Sequence, residues 1–222
     1  MNKIYAINHY NFVDKIVINK RKEMCNLIQK ELQNNEFLDA LDIGSTNDME
    51  NESSNYLIKN LNNIKIYKSI SDQYISNNFF HKILKKSITE EFSKDEVKEM
   101  KSDIVISNAT IEHVGNVDNQ IKMIQNILQL TNKYFIITTP NRYHPIDFHT
   151  KLPFIHWFPK NFHRRLLKIF KLEFFSKEEN LNLLSKNEFK ILLESSGANN
   201  FKILDISLFG FKSNIVVIGK IT

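Results

Sequence analysis

The chain has 222 residues, with 30 Lys and Arg against 25 Asp and Glu for a formal charge of +5, and 42% of it is hydrophobic. That length suits one large domain or a domain with an insertion, and the apolar content excludes intrinsic disorder. The charges are interspersed rather than gathered into the basic stripe that nucleic acid selects, and a single cysteine, Cys25, excludes a disulfide framework and most thiolate metal sites.

The first thirty-odd residues carry apolar side chains at helical spacing (Ile16, Met24, Leu27, Ile28 and Leu32) and predict a helical cap over 1–35. No apolar run approaches the roughly 18–20 residues that span a bilayer. The N-terminal residues also lack an apolar signal core, so the sequence reads as cytosolic. Leu38–Ile43 predicts a short buried strand closed by Gly44, after which Asn47 or Asp48 could cap a helix running towards Leu61. Further strands are expected at Ile64–Ile70, at His81–Ile88, at Asp103–Ser107 and at Tyr134–Thr139, with a helix over Val117–Leu130. A helix near Ser185–Ser196 follows, then strands at Phe201–Phe209 and Asn214–Lys220. The short link between these two strands suits an antiparallel hairpin rather than a helical crossover. The alternation predicts one α/β domain over 1–222 with a mainly parallel sheet. It is interrupted by an aromatic and basic insertion over 141–180.

In open parallel sheets ligands bind beyond the carboxyl ends of the strands, where the strand order reverses. Gly44 lets the backbone approach a ligand there, Asp42 precedes the turn, and Asp72 ends the second strand, placed to accept hydrogen bonds from both hydroxyls of a ribose. These positions point to a nucleoside-containing ligand.

The run LDIGSTND resembles motif I of the class I S-adenosylmethionine-dependent methyltransferases, usually Asp-x-Gly-x-Gly. SDIVISNATIEHV resembles the fourth-strand motif of their ubiquinone and menaquinone branch. With the strand YFIITTPN behind them, the likeness covers about residues 36–141 in the expected order. It implies a Rossmann-like three-layer sandwich whose seven-stranded sheet has an antiparallel last strand, and S-adenosylmethionine as cofactor. Asp42, Gly44, Ser45 and Thr46 would then surround its methionine end, Asp72 would hold the ribose, and Asn108 and Ala109 would line the wall beside the sulfonium.

The chain departs from the pattern at two places. Thr46 stands where the second glycine is usual, and the acidic residue that contacts adenine after the third strand is not evident, leaving Ser87, Thr89 or Glu90. In some quinone methyltransferases an extra glutamate ahead of the Glu-His pair accompanies a metal; here that position is Ala109, so no metal is expected. His149, His156 and His163 recur every seven residues, but Pro153 and Pro159 break the helix that would align them. The insertion instead suits a lid over the strand ends, in which His144, Asp147 or His149 could take a proton from an acceptor hydroxyl, with His113 a further catalytic candidate. Its stretch 154–168 mixes Phe154, Trp157, Phe158 and Phe162 with Lys160, Arg164, Arg165 and Lys168. Such a stretch could meet a membrane surface or a lipid-linked acceptor, or grip phosphate through Arg164 and Arg165.

The expected activity is methyl transfer to a small molecule, at oxygen of a sugar, glycan or lipid-linked acceptor, with a quinone-like aromatic as the next choice. A non-catalytic binding protein with a degenerate site is the rival from another class. A nicotinamide-dependent oxidoreductase is disfavoured, because GSTNDM lacks Gly-x-Gly-x-x-Gly, and no Asn-Pro-Pro-Tyr run supports methylation of a nucleic-acid base.

Overall fold

Strands of Ile, Val, Leu and Phe buried on both faces build the centre of the molecule. The computed structural model describes residues 11–32 and 37–221, with side chains from residue 15 onward; the rest of the predicted cap lies outside them. In chain order the strands are β1 (Phe37–Ile43), β2 (Ile64–Ser71), β3 (Lys82–Lys85), β4 (Ser102–Asn108), β5 (Thr131–Pro140), β6 (Phe201–Leu208) and β7 (Phe211–Lys220). They form one sheet in the order β3-β2-β1-β4-β5-β7-β6. β1 to β5 run parallel, and β7 runs antiparallel to both β5 and β6. The sheet, its hairpin and its antiparallel last strand match the expectation from sequence.

Helices cover both faces. On one, α1 (Asn11–Leu32) places Met24, Cys25, Ile28 and Leu32, and α2 (Tyr56–Asn60) places Tyr56, Leu57 and Ile58, against Ala40, Ile104, Ile136 and Val216. On the other, α3 (Lys94–Met100), α4 (Val117–Leu130) and α7 (Lys186–Ser195) bury Met100, Ile124, Ile127, Phe189 and Leu193 against Leu41, Val105, Phe135 and Val217. α3 was not foreseen, although Ser93 and Glu96 form a capping box that is visible in the sequence.

One expected helix is largely absent. Neither Asn47 nor Asp48 caps a helix: Asn47 Oδ1 accepts from the Ser76 amide, and Asp48 Oδ1 accepts from the amides of Glu50 and Asn51. These side chains bind local backbone and hold turns, so α2 begins only at Tyr56.

The insertion packs as a unit of its own. It holds a 3-10 turn at Ile155–Trp157, then α5 (Lys160–Ile169), which starts directly after Pro159, and the short α6 (Glu173–Ser176). Leu167, Phe175, Leu181 and Leu183 form a small separate core. Buried Arg142 ties this unit to the main domain, donating to the carbonyls of His156 and Phe158 and pairing with Glu188 at the start of α7.

Candidate active site

Chain order reverses between β1 and β4, and a cleft of about 640 Å³ opens at the carboxyl ends of these strands. Gly44 forms its floor at φ +85°, and a Cβ there would fall on the Thr110 hydroxyl, which itself donates to the Ile43 carbonyl. Only glycine fits this crossing point. The side chain of Thr46 at the second glycine position is accommodated by a different clamp. Asn55, itself left-handed at φ 51°, accepts from the Thr46 amide at 2.9 Å and donates back to the Thr46 carbonyl at 2.8 Å.

Six of the seven expected cofactor residues line this cleft: Asp42, Gly44, Thr46, Asp72, Asn108 and Ala109. Ser45 lies behind the wall, fully buried, where its hydroxyl donates to Asp42 Oδ2 at 2.5 Å and accepts from Ser69 at 2.9 Å. It orients Asp42 rather than facing the cleft. Burial pushes the Asp42 carboxyl up to about 6, against the pull of the Ser45 hydrogen bond. Of the three candidates for the adenine side only Ser87 lines the cleft, beside Ile88; the Thr89 hydroxyl pairs with that of Ser87, and Glu90 accepts the Ser87 amide. α1 adds Lys20, Arg21 and Met24 from the opposite wall, and burial lowers the pKa of the Arg21 guanidinium. Sequence reasoning placed α1 over the site and named Met24 only as an apolar helix position; Lys20 and Arg21 were not named, because a cationic side chain on an amphipathic helix reads as solvated.

Beyond the floor a buried polar cluster closes one end of the cleft. A 3-10 turn after β4 holds Glu112, with no exposed surface, and His113; the insertion brings Asp147 and His149 to them. Thr139 donates to Glu112 Oε2 at 2.9 Å, whereas Oε1 has no hydrogen-bond partner among the described residues. His149 Nε2 lies 3.7 Å from that oxygen, and His113 Nε2 lies 4.0 Å from it. On their other sides, His149 Nδ1 is 3.2 Å from Asp147 Oδ1, and His113 Nδ1 is 2.7 Å from the Asn180 carbonyl. Burial pushes Glu112 up and His113 down to about 3. Burial also opposes the charge on Asp147, but hydrogen bonds from His149 and Thr150 hold its carboxyl well below the usual range.

His113 and His149 line the cleft, while Asp147 sits behind His149 and fixes its ring. The fourth catalytic candidate stands apart. His144 is stacked on Phe148, its Nδ1 is spent on the Ile146 backbone, and its carbonyl receives His156 and Trp157. Its role is to shape the loop. His156 and His163 lie 6.4 Å apart by ring centroid inside the insertion, and neither lines the cleft. Arg164 is paired with Glu178, which leaves Arg165 as the exposed member of that pair. Cys25 packs in α1 with its thiol pushed up to about 11 by burial, so it is no nucleophile.

No protein-family model and no curated protein matches this sequence. Solved structures match its fold. Magnesium protoporphyrin IX methyltransferase from Synechocystis PCC 6803, with S-adenosylhomocysteine bound, aligns over 98% of this chain and 91% of its own at 12% identity and a TM-score of 0.56. The 1,6-didemethyltoxoflavin-N1-methyltransferase of Burkholderia thailandensis aligns over 90% and 77% at 9% identity and a TM-score of 0.57. An O-methyltransferase family protein from the same organism aligns over 94% and 58% at 9% identity, with a TM-score of 0.51. The chain therefore has the Rossmann-like methyltransferase fold.

Proposed function

We propose that this protein is a cytosolic S-adenosylmethionine-dependent methyltransferase acting on a small-molecule acceptor at oxygen. The observation that carries the reading is the cleft itself. At the switch point of the sheet it presents Gly44 without a side chain, Asp42 and Asp72 on adjacent strand ends, and His149 on the acceptor side. The magnesium protoporphyrin IX methyltransferase of similar fold has been solved with S-adenosylmethionine and with S-adenosylhomocysteine, and the 1,6-didemethyltoxoflavin-N1-methyltransferase with S-adenosylhomocysteine.

The residues present fit that cofactor. Asp72 lies at the mouth, free of burial, where both ribose hydroxyls could donate to it. Asp42, held by Ser45, offers a carboxylate to the methionyl ammonium, and Arg21 and Lys20 offer cations to the methionyl carboxylate. Asn108, locked by Thr138 at 2.6 Å, and Ala109, left-handed at φ 54°, would line the wall beside the sulfonium. When bound, the cofactor would supply an electrophilic methyl group on a cationic sulfur whose leaving group is neutral, and an acceptor hydroxyl would give up its proton. The chain's part is to orient the acceptor in line, to exclude water, and to receive that proton at the Glu112–His149–Asp147 set. The insertion acts as lid and α1 as cap, and the acceptor is a sugar, glycan or lipid-linked molecule.

Calorimetric titration with S-adenosylmethionine and S-adenosylhomocysteine, with NAD as control, tests the reading. Binding of both sulfur ligands and not NAD is expected, and Asp72→Ala should weaken it more than tenfold, a loss of about 1.4 kcal/mol or more. Folded protein that binds neither would leave a degenerate binding domain instead.

A further inference from the structure

Two exposed phenylalanines sit in the left-handed region of backbone space, where a bulky side chain is disfavoured. Phe209 has φ 53° and is 76% exposed; Phe154 has φ 60° and is 52% exposed. Phe209 and Gly210 are the two central residues of the β6–β7 turn, both at positive φ, a place that asparagine before glycine fits best. An apolar ring at either position strains the backbone and gains little burial in return. Exposed strain of this kind points to a contact outside the chain.

The rings belong to one face. Phe211, on the far side of the turn, lies 6.4 Å by ring centroid from His144, and the His144 carbonyl accepts from Trp157 Nε1. Trp157 packs edge-on to Phe154 at 4.9 Å, and the Phe154 amide donates to the Pro145 carbonyl. Exposed Tyr143 and Ile146 flank His144 on the same loop. Phe158 continues the face to Phe162 on α5, 5.2 Å away. Farther along α5 and just past its end, Arg165, Lys168, Ile169 and Lys171 are exposed, and none of the three cations pairs with a carboxylate among the described residues. Residues 141–180 hold eight Lys and Arg against four Asp and Glu, so this segment carries +4 of the chain's +5. A second copy would set the same cationic face against itself, which like charge opposes. An anionic lipid surface meets both features, because it attracts the cations and takes up single protruding rings without a shaped pocket.

We propose that the β6–β7 turn, the segment 143–158 and α5 form a docking face for an anionic lipid bilayer, with Phe209 and Phe154 as its inserting side chains. Leu208 beside the turn and Phe148 stacked on His144 line the cleft, so docking holds the mouth of the cleft at the lipid surface. The proposal needs neither cofactor nor acceptor and stands apart from the methyl-transfer reading.

Trp157 is the chain's one tryptophan, so its emission reports on this face directly. The full chain is mixed with vesicles of phosphatidylglycerol or of phosphatidylcholine. With phosphatidylglycerol, a blue shift of Trp157 and quenching by lipid brominated in the acyl chain are expected, and with phosphatidylcholine at least tenfold weaker binding. Phe209→Asn and Phe154→Asn should each lower the vesicle-bound fraction at least threefold, yet unfold at the wild-type temperature or above it, because asparagine accepts a left-handed backbone. A lower unfolding temperature in both would assign the rings to packing and overturn the proposal. Arg165→Glu with Lys168→Glu should remove the preference for phosphatidylglycerol. Unchanged Trp157 emission with phosphatidylglycerol, or wild-type binding by all of these variants, overturns it as well. Should the wild type self-associate in sedimentation, bind no vesicles and become monomeric with Phe209→Asn, the face joins two copies of the chain and the bilayer is not its partner.

Discussion

Asp42 carries two demands that pull against each other. Its carboxyl sits at about 6 in the folded protein against an ordinary 3.8, because burial penalises the charge more than the Ser45 hydroxyl supports it. Between those two values the folded state keeps a proton that the unfolded chain has released. The contribution of Asp42 to stability is therefore highest near and below pH 4, falls as the pH rises to about 6, and bears the full cost of the buried charge above that. Asp42→Asn removes the cost. The variant should be more stable than wild type at pH 8, by up to about 3 kcal/mol in urea unfolding, and the gain should shrink towards zero near pH 4. A gain of the same size at both pH values would show that something other than ionisation sets it. The variant should also bind the cofactor more weakly, since the ammonium loses its carboxylate. At this scale most of the cleft's lining at the strand ends was legible in sequence: a carboxylate, a glycine and a second carboxylate at strand ends are local features. Ser45 lies behind the wall of the cleft, because the turn after β1 points its hydroxyl inward to Asp42 and Ser69, while its carbonyl accepts from the Ser71 hydroxyl.

At the scale of elements, the loop after β1 and the insertion after β5 behave oppositely. The loop keeps its shape through Asn55, which holds Thr46 where a glycine would leave the loop to its own turn geometry. The helix expected from Asn47 failed for the same reason: residues 46–55 are rich in Asn, Asp and Ser that bond local backbone in preference to a helical ladder. In the proposed mechanism the insertion contributes His149 and Asp147 to the proton-accepting set, and its other residues to structure. His149→Ala is expected to cut methyl transfer at least tenfold while leaving S-adenosylhomocysteine affinity within about twofold, because His149 sits across the cleft from Asp42 and Asp72. A parallel loss of affinity in calorimetry would mean that the lid had collapsed onto the cofactor wall. His144, equal to His149 as a sequence candidate, differs only in what the fold does with it, and no spacing rule separates the two.

For the molecule as a whole, the insertion leaves Phe154, Trp157, Phe158 and Phe162 between 41% and 52% exposed, beside Arg165 and Lys168. Among the described residues no helix is long and apolar enough to cross a membrane. An aromatic face with a cationic rim suits an anionic bilayer surface, and it would bring a lipid-linked acceptor to the mouth of the cleft. Flotation with phosphatidylglycerol vesicles should carry the wild type, and Trp157→Ala with Phe158→Ala should reduce the bound fraction several-fold. Equal flotation of that double variant would assign the aromatic face to the protein's own packing.

The amino-acid sequence by itself determined the α/β alternation, the antiparallel final hairpin and the strand-end residues that line the cleft. Hydrophobic period, turn glycine and strand-end carboxylates are properties of short segments, and α4 begins and ends where its apolar spacing does. Only the tertiary structure decided the acceptor side. Glu112 and His113 stand on one segment and Asp147 and His149 on another, and they meet because Arg142 and the 181–184 segment dock the insertion against the turn after β4, where the Asn182 amide donates to the Glu112 carbonyl at 2.7 Å. Convergence of donors from distant segments is a consequence of packing, and no local pattern encodes it.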